Sequence, residues 1–284
     1  MKTTAAATVF AFLLLVPSAL AAGDPEIAAL QVGLRQKGLY SGTVDGVLGR
    51  STADAVRRLQ LRAGLAVDGV PGPRTRRALG HYGRRSPLGR RLLVPGARGW
   101  DVAALQFALA WHGFPSGRID GRFGFSTERA LRKFQLWERL VVDGLAGGAV
   151  FSALRAPLPW CPVALASPVA GAHADGFGPR GNRFHTGLDY PGAVGTPVGA
   201  AARGTVTFAG FSAGGWGNLV VVDHGGGTTT LYAHLSRVTV RVGRRVATGQ
   251  RIGRIGATGH ATGPHLHFEV HVRGAAVDPL TGLG

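Results

Sequence analysis

Three short motifs near the C-terminal end of the sequence carry side chains that could bind a metal ion or move a proton. The first places His185 four residues before Asp189, and the second contains His234. The third places His265 and His267 two residues apart. A single histidine is more often a packing or surface residue, but three such motifs in one region predict a shared site.

The third motif carries the clearest geometric information. Alternate residues of a β-strand point to the same face, so His265 and His267 would enter one site together. Imidazole and carboxylate groups suit Zn²⁺, and a catalytic zinc site has three protein ligands and one open position. His185, Asp189 and one histidine of the pair supply that number of ligands. The spacing alone leaves open which histidine of the pair binds the metal and which faces the substrate.

Other polar and aromatic residues of this region are weaker candidates. Glu269 lies on the same predicted strand face and could either orient a histidine or form a structural salt bridge. His271 continues the alternation but lies too far along the strand, and His224 is interpreted as a turn residue. Trp216 could flank a substrate groove, and Tyr232 could do so or pack in the core. Four histidines without motif neighbours are expected at the surface: His81, His112, His173 and His260.

The chain that must position these motifs has the pattern of an all-β domain. From residue 167 onward, short runs rich in β-branched residues alternate with glycine turns. Such runs predict strands, because β-branched side chains fit the pleated backbone. The predicted strands cover residues 205–208, 219–222, 228–232, 237–242 and 266–272. The sequence therefore predicts a domain of short antiparallel strands.

Two copies of a repeat precede this domain. Residues 27–79 align without a gap with residues 102–154. The two copies share an Ala-Ala-Leu-Gln start, an Asp-Gly turn and a Val-Asp-Gly ending. Self-similarity at this scale indicates one small structural unit that is used twice.

Each copy has the pattern of three short helices. In the first copy, apolar spacing from Ile27 to Leu34 predicts a helix that Gly38 ends. Ser51 or Thr52 can cap a second helix, and residues 75–79 predict a short third one. The second copy repeats this pattern, so the fold class predicted for the chain is multidomain α+β.

The start of the chain has the features of a signal peptide. Met1-Lys2 supplies a positive start, residues 5–16 are apolar, and Ala19-Leu20-Ala21 fits a small-x-small cleavage site. The apolar run is short for a membrane span, and Pro17 ends it. We therefore predict export with cleavage near Ala21 rather than an uncleaved membrane anchor. No later stretch is long and apolar enough to predict a membrane span.

Composition shifts suggest the remaining boundaries. A basic segment between the copies reads as a flexible linker, and a Pro-rich segment after the second copy as a stiffer one. The single cysteine, Cys161, excludes an intramolecular disulfide and is interpreted as an incidental residue of the second linker. The predicted organisation is a signal peptide (1–21), repeats (24–80 and 99–155), a basic linker (81–98), a Pro-rich linker (156–166) and the β domain (167–284).

The formal charge of +17 at pH 7 favours polyanionic partners, although free use of arginine would also produce it. The sequence has no motif that combines aromatic and basic residues in the way of nucleic-acid-binding domains. Weak attraction to an acidic cell envelope is therefore predicted, and a nucleic-acid partner is not.

Both parts of the chain resemble known families. Each repeat resembles the peptidoglycan-binding domain that accompanies many wall hydrolases, which implies a three-helix fold that binds the wall, although the repeats could also be spacers. Residues 167–283 resemble the catalytic domain of the M23 (lysostaphin-type) metallopeptidases. The matching segments include Phe177-Gly178-Pro179-Arg180, His185 to Asp189, Leu231 to Leu235, Thr262 to Glu269 and Asp278-Pro279.

The second resemblance assigns roles that spacing left open. It implies that His185, Asp189 and His267 bind Zn²⁺, and that His234 and His265 are catalytic residues on the open side. No metal or catalytic position departs from the family pattern. The implied protein is a secreted, monomeric zinc endopeptidase that cleaves peptide cross-links of bacterial peptidoglycan, outside the cell or in its wall.

An alternative is a non-enzymatic envelope protein that binds the wall and activates another hydrolase. Family members of that kind lack metal ligands, whereas this chain keeps all of the implied site residues. The peptidase interpretation is therefore favoured.

Overall fold

The computed structural model describes residues 22–84 and 86–283. The predicted signal peptide, residues 1–21, lies outside the described residues. Within the described part, no helix has the length and apolar character needed to cross a membrane. Six α-helices come first and an antiparallel β region follows, which confirms the predicted α+β fold.

Each repeat folds into three helices. The first repeat contains α1 (Pro25–Gln36), α2 (Arg50–Arg62) and α3 (Pro73–Ala78). The second contains α4 (Trp100–Trp111), α5 (Phe125–Trp137) and α6 (Gly148–Ala153). A short 3₁₀-helix, Tyr82–Arg84, follows the first repeat.

The predicted cap of α2 is wrong. The N-cap residue is Gly49, and no side chain caps the helix. Thr52 is buried, and its hydroxyl group bonds to the carbonyl oxygen of Val47 at 3.1 Å and to the amide of Gln31. The Thr52 side chain therefore bonds within the interior of the repeat instead of capping the helix, and α2 begins before it, at Arg50.

A buried glutamine organises the turn of each repeat. In the second repeat, the amide of Gln106 accepts a hydrogen bond from the Gly121 N–H at 2.9 Å and donates to Asp120 Oδ1 at 3.1 Å. Gln31 makes the same contacts with Gly46 and Asp45 in the first repeat. The buried amide therefore supplies the partners that the turn backbone would otherwise lack.

The two repeats pack together rather than standing apart. Helices α1 and α4 share one hydrophobic core, in which Leu30 lies with Trp100 and Phe107. The segment between the repeats adds polar contacts: the Leu88 N–H donates to Glu26 at 2.9 Å, and Arg91 pairs with Asp101 at 2.6 Å.

The β domain contains a main sheet and two smaller ones. The main sheet has the strand order β12-β11-β7-β6-β5-β9, and β3 also pairs with β11. A three-stranded sheet has the order β4-β10-β8, and β1 and β2 form a separate hairpin. The strands are β1 (Gly178–Arg180), β2 (Arg183–His185), β3 (Leu188–Pro191), β4 (Pro197–Gly199), β5 (Gly204–Ser212), β6 (Gly217–Asp223), β7 (Thr228–Leu235), β8 (Arg237–Val238), β9 (Arg245–Val246), β10 (Arg251–Arg254), β11 (His265–Val272) and β12 (Ala275–Val277).

The strand predicted over residues 237–242 is shorter than expected. Strand β8 ends at Val238, and a turn follows in which the Arg244 N–H donates to the Arg241 carbonyl oxygen at 3.1 Å. Beyond Val238, the Thr239 N–H still donates to the Ile252 carbonyl oxygen of β10 at 3.0 Å, and the chain then leads into the turn.

The core of the β domain includes Tyr232, for which two roles were open, and Cys161, which was interpreted as a linker residue. Tyr232 is fully buried, and its hydroxyl oxygen accepts a hydrogen bond from the Ala201 N–H at 2.7 Å, so it packs in the core. Cys161 is also buried there, with its thiol 3.2 Å from the Val163 carbonyl oxygen. The interpretation of Cys161 as an incidental linker residue is therefore wrong.

His112 is not the surface residue that the sequence suggested. Only 2% of it is exposed, at the C-terminal end of α4. Its Nε2 lies 3.2 Å from the Leu154 carbonyl oxygen, and its ring packs edge-on against Phe134. Its Nδ1 has no hydrogen-bond partner among residues 22–84 and 86–283. Burial lowers the pKa of His112.

Acid is expected to destabilise the second repeat through His112. The unfolded chain takes up a proton more readily than the folded chain, so the free energy of unfolding falls as pH drops below about 6.5. One proton contributes at most about 1.4 kcal/mol per pH unit. Urea unfolding at about pH 7.5 and about pH 5 should show a smaller acid-dependent loss for His112→Phe than for the parent chain. Equal losses would contradict this role.

Candidate active site

Three β elements bring the predicted ligands together. His185 ends β2, Asp189 lies in β3, and His267 lies in β11. Strand β11 runs between β3 and β7, with His267 opposite both Asp189 and Ala233. This pairing places the carboxylate beside the imidazole, while the turn between β2 and β3 returns His185 to the same point.

Each of the three side chains directs one atom that could coordinate a metal, here called its donor atom, toward a common centre. His267 Nδ1 lies 2.7 Å from Asp189 Oδ1, and His185 Nε2 lies 3.1 Å from the same oxygen. The two ring nitrogens are 3.0 Å apart. Among the described residues, these three form the group of histidine, cysteine and acidic side chains with metal-binding spacing, with all donor atoms within 4.8 Å.

The remaining ring nitrogens are held by other partners. His185 Nδ1 lies 2.7 Å from the Gly176 carbonyl oxygen, and His267 Nε2 lies 2.9 Å from Glu269 Oε1. Each imidazole therefore keeps its opposite nitrogen for the shared centre. Ligand atoms of a tetrahedral zinc ion lie about 3.3 Å from one another, so the spacing and the donor types fit Zn²⁺.

The charges around this centre stabilise one another. Burial raises the pKa of Asp189, but hydrogen bonds from His185 and His267 outweigh it and hold the pKa well below its usual range. Burial lowers the pKa of His267, but hydrogen bonds to Asp189 and Glu269 raise it to about 9. Asp189, Glu269 and His267 therefore favour one another's charged forms.

Glu269 supports the centre from behind. It is 1% exposed, and its two oxygens lie 2.9 Å from His267 Nε2 and 2.6 Å from His271 Nε2. The Thr186 hydroxyl also donates to it. Burial raises its pKa, but hydrogen bonds from His267 and His271 lower the pKa to about 2. Of the two roles open for Glu269, direct contact favours orientation of His267.

A Glu269→Gln variant is expected to bind zinc about 10- to 100-fold more weakly, as when other partners of metal-binding histidines are lost. The amide nitrogen of glutamine cannot accept a hydrogen bond, so one of the two histidines loses its acceptor. The orientation of His267 is then no longer enforced. Chelator competition measures the affinity. Asp223→Asn is the control, because the contact of Asp223 within the described residues is a turn N–H, from Gly225 at 2.9 Å. Equal zinc affinity in Glu269→Gln and the parent chain would contradict the role.

His234 and His265 lie together on one side of the centre, here called the open side. Their ring centroids are 4.8 Å apart, and the His234 ring is 5.8 Å from that of His267. His234 Nδ1 is 2.8 Å from the Thr258 carbonyl oxygen, and His265 Nδ1 is 2.8 Å from that of Gly263. Because each Nδ1–H donates to a carbonyl oxygen, each Nε2 is left to accept a proton.

The backbone at His234 is unusual. Its φ is 61°, in the left-handed region that non-glycine residues seldom adopt. The pairing of β6 with β7 is irregular near this point, and the His234 N–H donates to the Trp216 carbonyl oxygen at 2.9 Å. Strained backbone of this kind is often found at functional sites. It turns the His234 ring out of the regular strand alternation, toward His265.

Several residues near the centre were not singled out from the sequence as site residues. Arg180 donates to Asp189 Oδ2 at 2.8 Å and also pairs with Asp175. Thr186 and Thr258 hold Glu269 and His234. Arg180 belongs to the Phe-Gly-Pro-Arg segment of the family resemblance, which was its only sequence signal. Trp216, a groove candidate, lies 5.6 Å from the His267 ring.

Comparison with known proteins finds matches for both parts of the chain. Residues 183–279 match "Peptidase family M23", and residues 23–79 and 98–154 each match "Putative peptidoglycan binding domain". The chain is 48% identical over 99 residues to the DD-carboxypeptidase/endopeptidase Mpg of Neisseria meningitidis, covering 35% of this chain and 23% of that protein. It is 44% identical over 96 residues to the peptidoglycan DD-endopeptidase ShyA of Vibrio cholerae, covering 34% of this chain and 22% of that protein.

A crystal structure of a zinc-containing peptidase from Vibrio cholerae shares 37% sequence identity with a TM-score of 0.38, and covers 39% of this chain and 37% of that one. The chain thus spans less than a quarter of the length of the curated relatives named here.

The matched peptidase segment contains His185, Asp189, His234, His265 and His267. Both resemblances seen in the sequence are confirmed: residues 183–279 form a peptidase family M23 domain, and two peptidoglycan-binding-type repeats precede it.

Proposed function

We propose that this chain is a secreted zinc endopeptidase that hydrolyses peptide cross-links of bacterial peptidoglycan and is brought to the wall by its two repeats. The observation that carries the proposal is the convergence of His185, Asp189 and His267 beside His234 and His265. Three ligands with an open side are the arrangement of a catalytic metal site rather than a closed structural one.

Each residue then has a role. His185 Nε2, Asp189 Oδ1 and His267 Nδ1 would hold zinc. Bound there, zinc would polarise the scissile carbonyl group and lower the pKa of a water molecule toward neutrality. The Nε2 atom of His234 or His265 would accept the proton of the attacking water. The resulting Nε2–H could then donate a hydrogen bond to the developing oxyanion and pass its proton to the departing amine. Burial lowers the pKa of His234, which keeps its ring neutral and able to accept a proton near pH 7.

The proposed substrate is one on which both domain types could act. Peptidoglycan combines glycan strands, which the repeats would bind, with peptide cross-links, which the metal site would cleave. Two relatives are named as endopeptidases, and one of these names specifies peptidoglycan as the substrate. We further propose that the chain acts as a monomer in the cell wall or outside the cell, with no nucleic-acid partner.

Zinc content and release of peptide fragments test the proposal together. Purified residues 22–284 would be incubated with peptidoglycan sacculi, and the products analysed by mass. About one zinc ion per chain and new peptide ends are expected from the parent chain. A chain that binds zinc but releases no fragments would support the non-enzymatic activator instead. A chain that binds no zinc would refute the metal site.

A further inference from the structure

The second repeat packs against the hairpin that carries His185. The Trp111 ring, at the end of α4, lies 6.3 Å from the Phe177 ring and 5.3 Å from the Phe184 ring. Phe177 and Phe184 are 5.0 Å apart, edge to face. Trp111 is only 8% exposed. This three-ring contact joins the repeat to the residue that directly precedes His185.

The two faces of the hairpin contact different parts of the protein. Successive side chains of a strand point to opposite faces, so Phe184 points toward the repeat and His185 away from it. Its tip is also held by both repeats. The Gly181 carbonyl oxygen accepts from the Val44 N–H at 2.7 Å, and that of Asn182 accepts from the Ile119 N–H at 2.8 Å.

The same repeat contacts the far end of the strand that carries His265 and His267. Trp137 Nε1 donates to the Val272 carbonyl oxygen at 3.0 Å, where β11 ends. The Ala276 N–H in β12 donates to the Gly113 carbonyl oxygen at 3.2 Å, and Ala275 is buried in the core of the second repeat. Two of the three strands that supply candidate ligands, β2 and β11, are thus connected to the second repeat.

Inside the β domain, the hairpin is tied to β3 by the ion pair of Arg180 with Asp189 and by the adjacent Asp175–Asp189 bridge, but its own pairing is short. Its strands are three residues each, and it forms a sheet of its own, separate from the main sheet. An isolated two-stranded hairpin is at best marginally stable in water. Inside the β domain, the ring of His185 has one backbone anchor, the Gly176 carbonyl oxygen. A loose hairpin would let its donor atom leave the shared centre.

We propose that the second repeat is a positioning element of the metal site as well as a wall-binding module, and that Trp111 is its main positioning residue. By packing on Phe177 and Phe184, Trp111 holds the hairpin so that His185 Nε2 stays beside Asp189 and His267. The part of this inference that concerns zinc rests on the proposed function, whereas the part that concerns the hairpin does not.

Two variants of Trp111 in residues 22–284 test the proposal. Trp111→Ala is expected to speed hydrogen exchange of the hairpin amides at least about tenfold in the metal-free chain. It should also weaken zinc binding by about 10- to 100-fold, measured by chelator competition. Trp111→Phe keeps an aromatic edge against Phe184 and should restore most of both properties. Unchanged exchange and unchanged zinc affinity in folded Trp111→Ala would overturn the proposal.

A matched glycine pair controls for damage to a repeat. Gly38 and Gly113 occupy equivalent positions after α1 and α4, with φ of 68° and 87°. A Cβ atom at Gly113 would lie 2.3 Å from the Ala276 carbonyl oxygen, whereas one at Gly38 meets nothing within 4 Å. Gly113→Ala should therefore weaken zinc binding by about tenfold, and Gly38→Ala, with similar backbone strain, should not. Equal effects of the two substitutions would count against the proposal.

The exchange measurement also separates this inference from the proposed function. It needs neither metal nor substrate. A parent chain that binds no zinc would refute the metal site, and the exchange comparison would still decide whether Trp111 holds the hairpin.

Discussion

A His185→Ala variant is expected to lose zinc and all peptidase activity. The loss of a partner behind a metal-binding histidine already costs about 10- to 100-fold in affinity, so removal of a ligand should cost more than about 100-fold. Only Asp189 and His267 would remain, and a catalytic zinc site needs three protein ligands. Metal analysis after dialysis should find the variant without zinc, and sacculi should release no peptide fragments.

His224→Ala is the matched control for that experiment. His224, like His185, lies 2.7 Å through its Nδ1 from a backbone carbonyl oxygen, that of Arg203. Its Nε2 is 2.8 Å from the Thr230 hydroxyl group, away from the three donor atoms. The control therefore removes an imidazole with similar anchoring and should keep zinc and activity. Retention of stoichiometric zinc by His185→Ala would show that the ligand set is wrong.

A His265→Ala variant is expected to keep zinc and to lose activity by about 10²- to 10⁴-fold, the range for loss of a general acid or base. The ring of His265 is anchored to the Gly263 carbonyl oxygen, and its Nε2 is 3.8 Å from Asp189 Oδ1, farther than the nitrogens of His185 and His267. The structure therefore places it beside the donor group and not within it. Zinc content and the rate of fragment release, measured on the same sample, separate the two properties.

The contrast between the two variants is the decisive result. Loss of zinc from His265→Ala would indicate that His265 is a metal ligand. Which histidine of the His265 and His267 pair binds the metal would then be open again, as it was from their spacing alone. Full activity in His265→Ala would instead leave His234 as the sole histidine of the open side for proton transfer.

The chemistry of the site could be predicted because part of it is local. The placement of His265, His267 and Glu269 on one face follows from strand alternation, and all three lie in β11. The closeness of His185 and Asp189 could not be derived in that way. A spacing of four residues is typical of one helix face, yet here the two residues lie on separate strands joined by a turn. Their residue types suggested that both could bind one metal ion, and the family resemblance supported that assignment.

The errors have a common physical cause. Thr52 has the residue type of a helix cap and His112 that of a surface residue, but both are buried by partners distant in the sequence. Cys161 lies in a Pro-rich segment and still enters the core of the β domain. Residue type indicates a local conformational preference, whereas burial depends on which other helices and strands pack against the residue.

The sequence by itself determined the repeat, the turns that bound its helices, the strand periods and the set of metal-binding residue types, because each depends on neighbours within a few positions. The tertiary structure decided which nitrogen of each histidine faces the shared centre, that Glu269 supports His267, and that the second repeat packs behind the hairpin of His185. The packing of the second repeat depends on contacts between residues tens to more than a hundred positions apart, such as Trp137 with Val272. The other two features join residues that can be close in the sequence, but strand pairing decides which of their possible contacts form.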